Sequence, residues 1–514
     1  MRIKEFVLLD EVERSEGNLE QEVRGLAYDS RKVTAGQVFF AVPGAKADGH
    51  DFIAEAVRRG AAAVVFSHEG HWPKAPASVQ VKDVHRTLGL WAAHFYGRPS
   101  QHLRLVGVTG TNGKTTLTYL IESVLAAAGL TPGVIGTINY RYPGYETPSH
   151  HTTPESLDLE EMLARMVRHG VKAVAMEVSS HALTQQRVRG LEFDVGVFTN
   201  LSRDHLDYHR DIDEYFLAKS KLFTDYLKIS PKLRKAAVIY GGDPHGRELI
   251  EKLRSSDVKI WSYGEERQWD VHPVDIENDV RGLRGTVQAK EQIIRFQSAL
   301  IGTANLQNIL GAIGVARALG IGADALVRGI GQLESVPGRL EKIANDRGLT
   351  ILVDYAHSPD ALEKVLGAVR LLTRGKLITV FGCGGDRDRG KRPLMGEIAA
   401  RLSDRVVLTS DNPRTEDPAA IVKDVEEGVR KFMLKIVDGA GLSCQVRKSS
   451  SDRRYVIELD RRKAIELAID MAIAGDLILI AGKGHEDYQI LGVNKIHFDD
   501  REVAREALMR EAST

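Results

Sequence analysis

The sequence predicts an α/β fold divided into about three domains, and three observations carry that prediction. A chain of 514 residues is too long for one hydrophobic core, because domains usually run to roughly 100–200 residues. Short β-branched runs, each followed by a glycine-containing turn and an amphipathic stretch, recur along it, which is the pattern of parallel α/β units. These units fall into three blocks, so boundaries are expected near residues 100 and 335, giving domains at 1–100, 101–334 and 335–514.

In the first block, QVFFAVPGAKADGHDFIAEAVRRGAAAVVF (37–66) reads as strand, loop, helix, strand, and Tyr96-Gly-Arg-Pro99 punctuates its end. The second opens with the strand LRLVGVT (103–109), passes a glycine-rich loop, and enters the helix LTYLIESVLAAAGL (117–130). Further strands are expected at VKAVAMEVSS (171–180) and FDVGVFTN (193–200). The third opens near VPGRLE (336–341) and offers strands in ILVDYAH, LITVFGCGG, RVVLTSDNP and DLILIAGKGHE. Each ends in polar residues or glycine, as expected where an open parallel sheet presents its carboxyl edge to a ligand. No fixed-period repeat interrupts the blocks.

Composition removes several function classes. Lys plus Arg and Asp plus Glu both number 70, so no net field favours nucleic acid or an anionic membrane. An aromatic fraction of 6% leaves few stacking platforms for single strands. Cys383 and Cys444 are the only cysteines, too few for a disulfide framework, which points to a reducing cytoplasm. The N-terminus MRIKEFVLLDEVERSEG has charge within its apolar patch and is not a signal peptide. No run of 18 apolar residues exists, so no membrane insertion is expected.

The strongest local signal is Gly110-Thr-Asn-Gly-Lys-Thr-Thr116, set between an apolar strand and a helix. There the backbone N–H groups of Gly110, Thr111, Asn112 and Gly113 and the helix N-terminus would hold phosphate, with Lys114 on the β- and γ-phosphates and the Thr115 hydroxyl on Mg²⁺. Strict Walker spacing would put glycine at Val108, so the loop is a variant. It predicts ATP or GTP use without choosing among kinase, switch and ligase. Glu177, towards the end of VKAVAMEVSS, could complete a Mg²⁺ site, although an acidic strand end is ordinary when read alone. The stretch from Thr199 to His209 gathers carboxylates and imidazoles, including His205, near the same edge. Lys219, on a helix beside Phe216, Leu222 and Phe223, reads by periodicity as a solvated lysine.

GTNGKTT, MEVSSHAL, NLSRDHLDYH and AKSKLF, in this order, resemble segments of the Mur ligases, to which the folylpolyglutamate synthetases are related. DSRKVTAGQVFFAV, TANLQN, VPGRLE, DYAHSPDAL, GCGGDRDRGKRP, DNPRTEDP and GKGHEDYQ extend the resemblance over essentially the whole chain. The resemblance implies an N-terminal α/β domain for a UDP-linked substrate, a central P-loop ATPase domain with a parallel sheet, and a C-terminal Rossmann-like domain for an incoming amino acid. It further implies ATP and Mg²⁺ as cofactors and an N-carboxylysine at Lys219, whose anionic oxygens would ligate metal where an ammonium cannot. Glu177 and His205 match the other metal-site positions. Thr116, Asn305, Arg339 and Asp354 match positions that hold the nucleotide.

For substrates the resemblance implies UDP-MurNAc-L-Ala-D-Glu and meso-diaminopimelate, joined through an acyl-phosphate by a monomeric enzyme of peptidoglycan precursor synthesis. Ser30 and the loop Ala45-Lys46-Ala47 match nucleotide-sugar contacts. His151, Thr152, Thr153, Ser179, Gln185 and Arg187 match contacts to the muramyl dipeptide, and the guanidinium of Arg187 suits a carboxylate. Asp411, Asn412, Pro413 and Arg414, with Arg387, Gly482 and Glu486, match the amino-acid pocket. Arg414 resembles the residue that grips the distal carboxylate of diaminopimelate, a group that lysine lacks. Lys114, Lys219, His205 and Arg187 are the catalytic candidates, and the base for the attacking amine stays unassigned. Rival readings are a folylpolyglutamate synthetase, which should lack the first hundred residues and DNPR, and a nucleotide-dependent switch.

Overall fold

The computed structural model describes residues 1–44, 47–68, 70, 73–204, 208–435 and 453–510. Along the first stretch run α1 (Ile3–Val7), β1 (Val12–Gly17), β2 (Gly25–Ala27), β3 (Gln37–Phe40), α2 (Ile53–Arg58), β4 (Ala63–Phe66), β5 (Ala77–Val81) and α3 (Val84–Phe95). The strands form one sheet in the order β1-β5-β4-β3-β2, with only β1 antiparallel to its neighbour. The strand, helix, strand reading of 37–66 is therefore met by β3, α2 and β4.

The second stretch begins with β6 (Arg104–Thr109), α4 (Lys114–Ala127), β7 (Pro132–Ile135), β8 (Asn139–Tyr142), β9 (Tyr145–Pro148), α5 (Ser156–Arg168), β10 (Ala173–Glu177) and α6 (Ser180–Thr184). It continues through β11 (Val195–Phe198), α7 (Ile212–Lys221), β12 (Ala236–Tyr240), α8 (Pro244–Leu253), β13 (Lys259–Tyr263), β14 (Val271–Asp279), β15 (Gly282–Ala289), β16 (Gln292–Ser298), α9 (Thr303–Ala318) and α10 (Ala323–Gln332). The third holds β17 (Glu341–Ile343), β18 (Thr350–Asp354), α11 (Pro359–Leu372), β19 (Leu377–Phe381), α12 (Lys391–Leu402), β20 (Arg405–Leu408), α13 (Pro418–Val429) and β21 (Leu434–Lys435). It closes with β22 (Arg454–Ile457), α14 (Arg461–Met471), β23 (Leu477–Ala481), β24 (Tyr488–Leu491), β25 (Asn494–His497) and α15 (Asp500–Met509).

By compactness these elements divide into two units, Met1–His272 with Gly311–Gly329, and Pro273–Leu310 with Ile330–Thr514. In the first, strands run in the order β13-β12-β11-β6-β10-β7-β8-β9, parallel from β13 to β7 and antiparallel in the β8–β9 extension. The central place of β6 positions the site. Its register pairs Val108 with Glu177 of β10 and Thr109 with Phe198 of β11, so the loop after β6 is flanked by the ends of both neighbours.

In the second unit the order is β17-β18-β23-β19-β20-β22-β21. Every residue of β19, β20 and β23 is buried, as expected for strands covered on both faces. The period-2 alternation of the strands sorts the core into two layers. Leu352, Phe381, Leu408 and Leu479 face a cluster with Leu366 of α11, Met395 of α12 and Val425 of α13. Ile351, Val380, Val407 and Ile480 face Ile465 and Ile469 of α14 and Val503 of α15. Side-chain oxygens of Ser358, Asp417, Asp460 and Asp499 cap the N-termini of α11, α13, α14 and α15. The ribbon β14–β16 and the hairpin β24–β25 are elements that the sequence pattern did not announce.

Candidate functional site

The loop after β6 is shaped by glycine where glycine is required. Gly110 has φ +143°, and a Cβ there would lie 1.9 Å from Thr199 Oγ1. That closeness is used: the Thr199 hydroxyl donates to Asn112 O at 2.6 Å, Asn112 N–H donates to Asn200 Oδ1 at 3.0 Å, and Thr111 N–H donates to Asn200 O at 2.9 Å. The loop is thus tied to the end of β11, and the sequence reading did not single out Thr199 and Asn200 for this. Gly113, at φ +87°, turns the chain into α4, where Thr115 and Thr116 are buried. Lys114 Nζ donates to Gly110 O at 3.0 Å and Thr111 O at 2.9 Å.

Lys219 is not the solvated lysine that periodicity suggests, for its side chain is only 1% exposed. It extends from α7 beneath the loop, donates to Gly110 O at 2.8 Å, and lies 4.3 Å from the centre of the Tyr215 ring. Burial, and then the nearby Lys114 charge, push its pKa well below the ordinary lysine value. An amphipathic pattern identifies which face is buried but not that a polar residue shares it.

Glu177 is buried at the end of β10, its carboxylate accepting from Thr137 N–H and Thr137 Oγ1, both at 2.9 Å. Thr152 Oγ1 lies 3.1 Å from Thr137 Oγ1, and Thr153 Oγ1 donates to Glu177 O at 2.9 Å. Ser179, whose N–H donates to Thr153 Oγ1 at 3.1 Å, caps α6 through Ala182 N–H. Arg187, far from a free surface arginine, is 13% exposed. It pairs with Glu155 at 2.8 Å and donates to Thr153 O and Gln185 Oε1, each at 2.9 Å. His151 joins the group through its backbone, with its N–H on Tyr140 Oη at 3.1 Å. The fold therefore brings Gly110–Thr116, Glu177, Lys219, Thr152, Thr153, Ser179, Gln185 and Arg187 to one edge. His205 lies outside the described residues.

In the N-terminal sheet region, Ser30 Oγ donates to Glu55 Oε2 at 2.7 Å, and Ala47 follows Ala45 and Lys46, which lie outside the described residues. Asp48, His50 and His68 bring three metal-capable atoms within 4.8 Å. However, His50 spends Nδ1 on Asp48 at 2.6 Å and Nε2 on Ser67 N–H at 3.0 Å. Its ring stacks on His68 at 3.7 Å, so the two lone pairs do not converge. The trio locks a loop.

In the second unit, Asp354 ends β18 with both carboxylate oxygens occupied, by Leu340 N–H at 2.8 Å and Ala356 N–H at 2.9 Å. Burial raises its pKa above the usual carboxylate value despite the neighbouring Arg339. The Arg339 guanidinium lies 4.7 Å from the Tyr355 ring centre. Asn305, buried near the start of α9, donates to Ile301 O at 2.8 Å.

The carboxyl ends of β20 and β23 gather a second group of the candidate residues. Asn412 Nδ2 donates to Glu486 Oε2 at 2.9 Å and Asn412 Oδ1 accepts from Ile490 N–H at 3.0 Å. Asp411 is buried, and its Oδ1 has no hydrogen-bond partner among the described residues. Gly482, at φ +115°, approaches so closely that a Cβ would lie 3.2 Å from Asp411 Oδ2. Pro413 leads into Arg414, which is stitched to the hairpin by N–H to Ile490 O at 3.1 Å and by Gly492 N–H to its own carbonyl at 2.8 Å. Its guanidinium donates to Gly385 O at 2.7 Å. Arg387 is exposed on the loop after β19. Lys483, wholly buried, lies 3.4 Å from Glu486 and donates to Tyr488 O. Its place between two glycines in GKG was the available signal, and the sequence reading passed over it. His485 has a buried Nδ1 without a hydrogen-bond partner among the described residues, and burial with Arg339 and Arg501 lowers its pKa to about 3.

Residues 22–96 match the catalytic domain of the Mur ligase family, 108–316 the Mur ligase middle domain and 338–484 the Mur ligase glutamate ligase domain. A UDP-N-acetylmuramoyl-L-alanyl-D-glutamate--2,6-diaminopimelate ligase of Geobacter sulfurreducens is 46% identical, with 98% of each chain covered. Its namesake in Geobacter metallireducens is 47% identical, with 100% of this chain and 99% of the relative covered. A solved structure of a ligase of that name superposes with a TM-score of 0.70 at 33% identity, covering 99% of this chain and 98% of the other. With this agreement running from end to end, the chain belongs to the Mur ligase family.

Proposed function

We propose that this protein is an ATP-dependent ligase that joins an amine of meso-diaminopimelate to the γ-carboxylate of D-glutamate in UDP-MurNAc-L-Ala-D-Glu. The step serves peptidoglycan precursor synthesis in the cytoplasm, and the enzyme acts as a monomer. The observation that carries the reading is the phosphate loop with a buried carboxylate, Glu177, and a buried lysine, Lys219, against it. A plain phosphate-binding switch has no need of that lysine. Diaminopimelate is chosen because relatives of 46–47% identity carry it in their names and because Arg414 offers a guanidinium to a second carboxylate. We further read 1–100 as the UDP-muramyl domain, 101–334 as the ATP domain and 335–514 as the amino-acid domain. The matched family segments at 22–96, 108–316 and 338–484 support this division.

The γ-carboxylate attacks the terminal phosphorus of ATP, forming an acyl-phosphate as ADP leaves. The amine then attacks the acyl carbon, the C–N bond forms, phosphate departs, and the amine proton passes to a base that is not assigned. Lys114 and the loop N–H groups hold the triphosphate, and Arg187 holds the carboxylate, so that like charges are brought together against their repulsion. Asn305, Arg339 and Asp354 serve the nucleotide. Ser30, Ala45, Lys46 and Ala47 serve the UDP end. His151, Thr152, Thr153, Ser179 and Gln185 serve the muramyl dipeptide.

Thr115, Glu177 and His205 would hold Mg²⁺, which supplies charge neutralisation when bound. Lys219 fits that role only as a carbamate. Its buried amine, whose charged form is disfavoured by burial and by Lys114, is suited to the change: the deprotonated nitrogen attacks the carbon of CO₂, the N–C bond forms, an electron pair moves onto oxygen, and a proton leaves to solvent.

The reading is tested by measuring phosphate release with ATP and each co-substrate alone and together. Turnover only when UDP-MurNAc-L-Ala-D-Glu and meso-diaminopimelate are both present is expected. Turnover with ATP alone would refute the ligase, and preference for L-lysine or L-ornithine would refute the assignment to diaminopimelate.

A further inference from the structure

A buried ion pair is bonded to the ends of β20 and β23, the two strands that carry the proposed amino-acid pocket. Arg461 opens α14 and Asp500 opens α15, and both side chains are fully buried. Arg461 Nε and Nη2 donate to the two Asp500 carboxylate oxygens, each at 2.7 Å. The guanidinium has further N–H groups, and they do not stay within the pair. Nη1 donates to Ser410 O at 3.2 Å and Nη2 donates to Ala481 O at 3.0 Å. Ser410 immediately precedes Asp411, and Ala481 immediately precedes Gly482. One planar group thus fastens the last carbonyl before each of the two loops. Asp411 and Glu486 lie near enough to interact favourably with its charge.

A hydrophobic pair would fill this space at less desolvation cost, since burying two charges is expensive unless they do something that packing does not. What packing cannot do is satisfy two strand-end carbonyls at once and set their separation. Lysine could not substitute, because an ammonium has no fixed fork.

We propose that Arg461, oriented by Asp500, is a positioning residue for the amino-acid substrate: it sets the spacing between the Asp411 loop and the Gly482 loop and so the placement of the Asp411 and Glu486 carboxylates around the incoming amino acid. The inference rests on reading that pocket as the amino-acid site.

The test compares wild type with R461K, with the double variant R461M/D500M, and with R414A, each as the full chain. The double variant removes both charges together, so neither is left buried alone. Expected for R461M/D500M, in which the Ser410 and Ala481 carbonyls lose this donor, is a folded protein with a lowered melting temperature and a rise in KM for meso-diaminopimelate of about 10- to 100-fold, the scale of a displaced binding group. KM for the UDP-dipeptide should stay unchanged. R461K, which keeps charge without the fork, should shift KM in the same direction by less, and it carries the test by the same criterion if the double variant does not fold. A lower melting temperature or active fraction with both KM values unchanged would show a structural role and overturn the proposal. So would wild-type KM for diaminopimelate in R461M/D500M while R414A raises it. If R414A leaves that KM unchanged, the pocket reading itself falls, and the brace falls with it as a substrate-positioning device.

Discussion

Lys114 and Lys219 place their side-chain nitrogens on the same acceptor, the carbonyl of Gly110, at 3.0 and 2.8 Å. Two ammonium groups converging on one carbonyl repel each other, and Lys219 is also fully desolvated, so the pair is relieved if one nitrogen is neutral. Lys219 is the one driven that way, by burial first and by Lys114 second. The shift favours the uncharged amine, the form in which a lysine nitrogen is nucleophilic, so this contact is where the proposed modification of Lys219 can be tested.

Replacing Lys219 with alanine removes both the amine and any carbamate made from it. Activity is expected to fall by at least about 100-fold, near 3 kcal/mol of barrier. Short carboxylic acids should restore part of it by supplying anionic oxygens. A second readout is independent of turnover: wild type equilibrated with ¹³C-bicarbonate should show a carbamate resonance that is absent from K219A. Full activity in unsupplemented K219A would remove Lys219 from the metal site.

Two glycines with positive φ separate backbone strain from steric blockage. Gly110→Ala forces a Cβ to 1.9 Å from Thr199 Oγ1, whereas a Cβ at Gly129, φ +75°, meets nothing within 4 Å. G129A should cost about 1 kcal/mol of stability and leave ADP affinity intact. G110A should spread the loop from Asn200 and abolish measurable ADP binding by calorimetry. Equal ADP affinity in both variants would show that the loop tolerates widening.

Glu160, on α5, is buried with no hydrogen-bond partner among the described residues on either carboxylate oxygen. Burial, helped by Glu192 and opposed by Arg98, raises its pKa well above the ordinary value of 4.5. Native protein therefore holds a proton that the unfolded chain releases above about pH 4.5. The contribution to stability is full below that pH and is lost as pH rises through the folded pKa, with a slope of at most about 1.4 kcal/mol per pH unit. Glu160→Gln removes the titration, so wild type should lose stability relative to E160Q between pH 5 and pH 8. Parallel denaturation midpoints across that range would mean that Glu160 does not keep its proton.

How much of this was legible beforehand depended on whether the signal was local. The phosphate loop was readable because strand, glycine turn and helix are contiguous, and the ends of β10 and β11 were readable as polar residues closing apolar runs. Lys219 was not: its neighbours on α7 predict a buried face, yet lysine reads as solvated until the fold brings Gly110, more than a hundred residues earlier, against it. Arg461 was invisible for the same reason, since its partners Asp500, Ser410 and Ala481 come from separate elements. The hairpin β24–β25, with Leu491, Val493 and Ile496 exposed, lacks the buried alternation that marks a strand. The family resemblance named several site positions that residue patterns alone left ordinary, but it did not extend to the brace at Arg461.

Arg187 offers a further measurement because its fork is already in use. Glu155 holds Nη2 at 2.8 Å while Thr153 O and Gln185 Oε1 each take one N–H, from Nη1 and Nε, at 2.9 Å. If Arg187 receives a substrate carboxylate, as proposed, that carboxylate would share the guanidinium with Glu155, which would aim it at some expense in affinity. Arg187→Ala should lower kcat/KM for the UDP-dipeptide by about 100- to 1000-fold, the scale of losing one preorganised charge-stabilising group. R187K should recover little, because an ammonium cannot pair with carboxylate in the bidentate fashion. Glu155→Gln removes the competing charge but keeps a hydrogen-bond acceptor, so KM for the UDP-dipeptide should fall while kcat stays within a few-fold of wild type. If E155Q instead raises KM and R187K matches wild type, Arg187 serves only to tie α5 to the loop after α6, and the substrate carboxylate is held elsewhere.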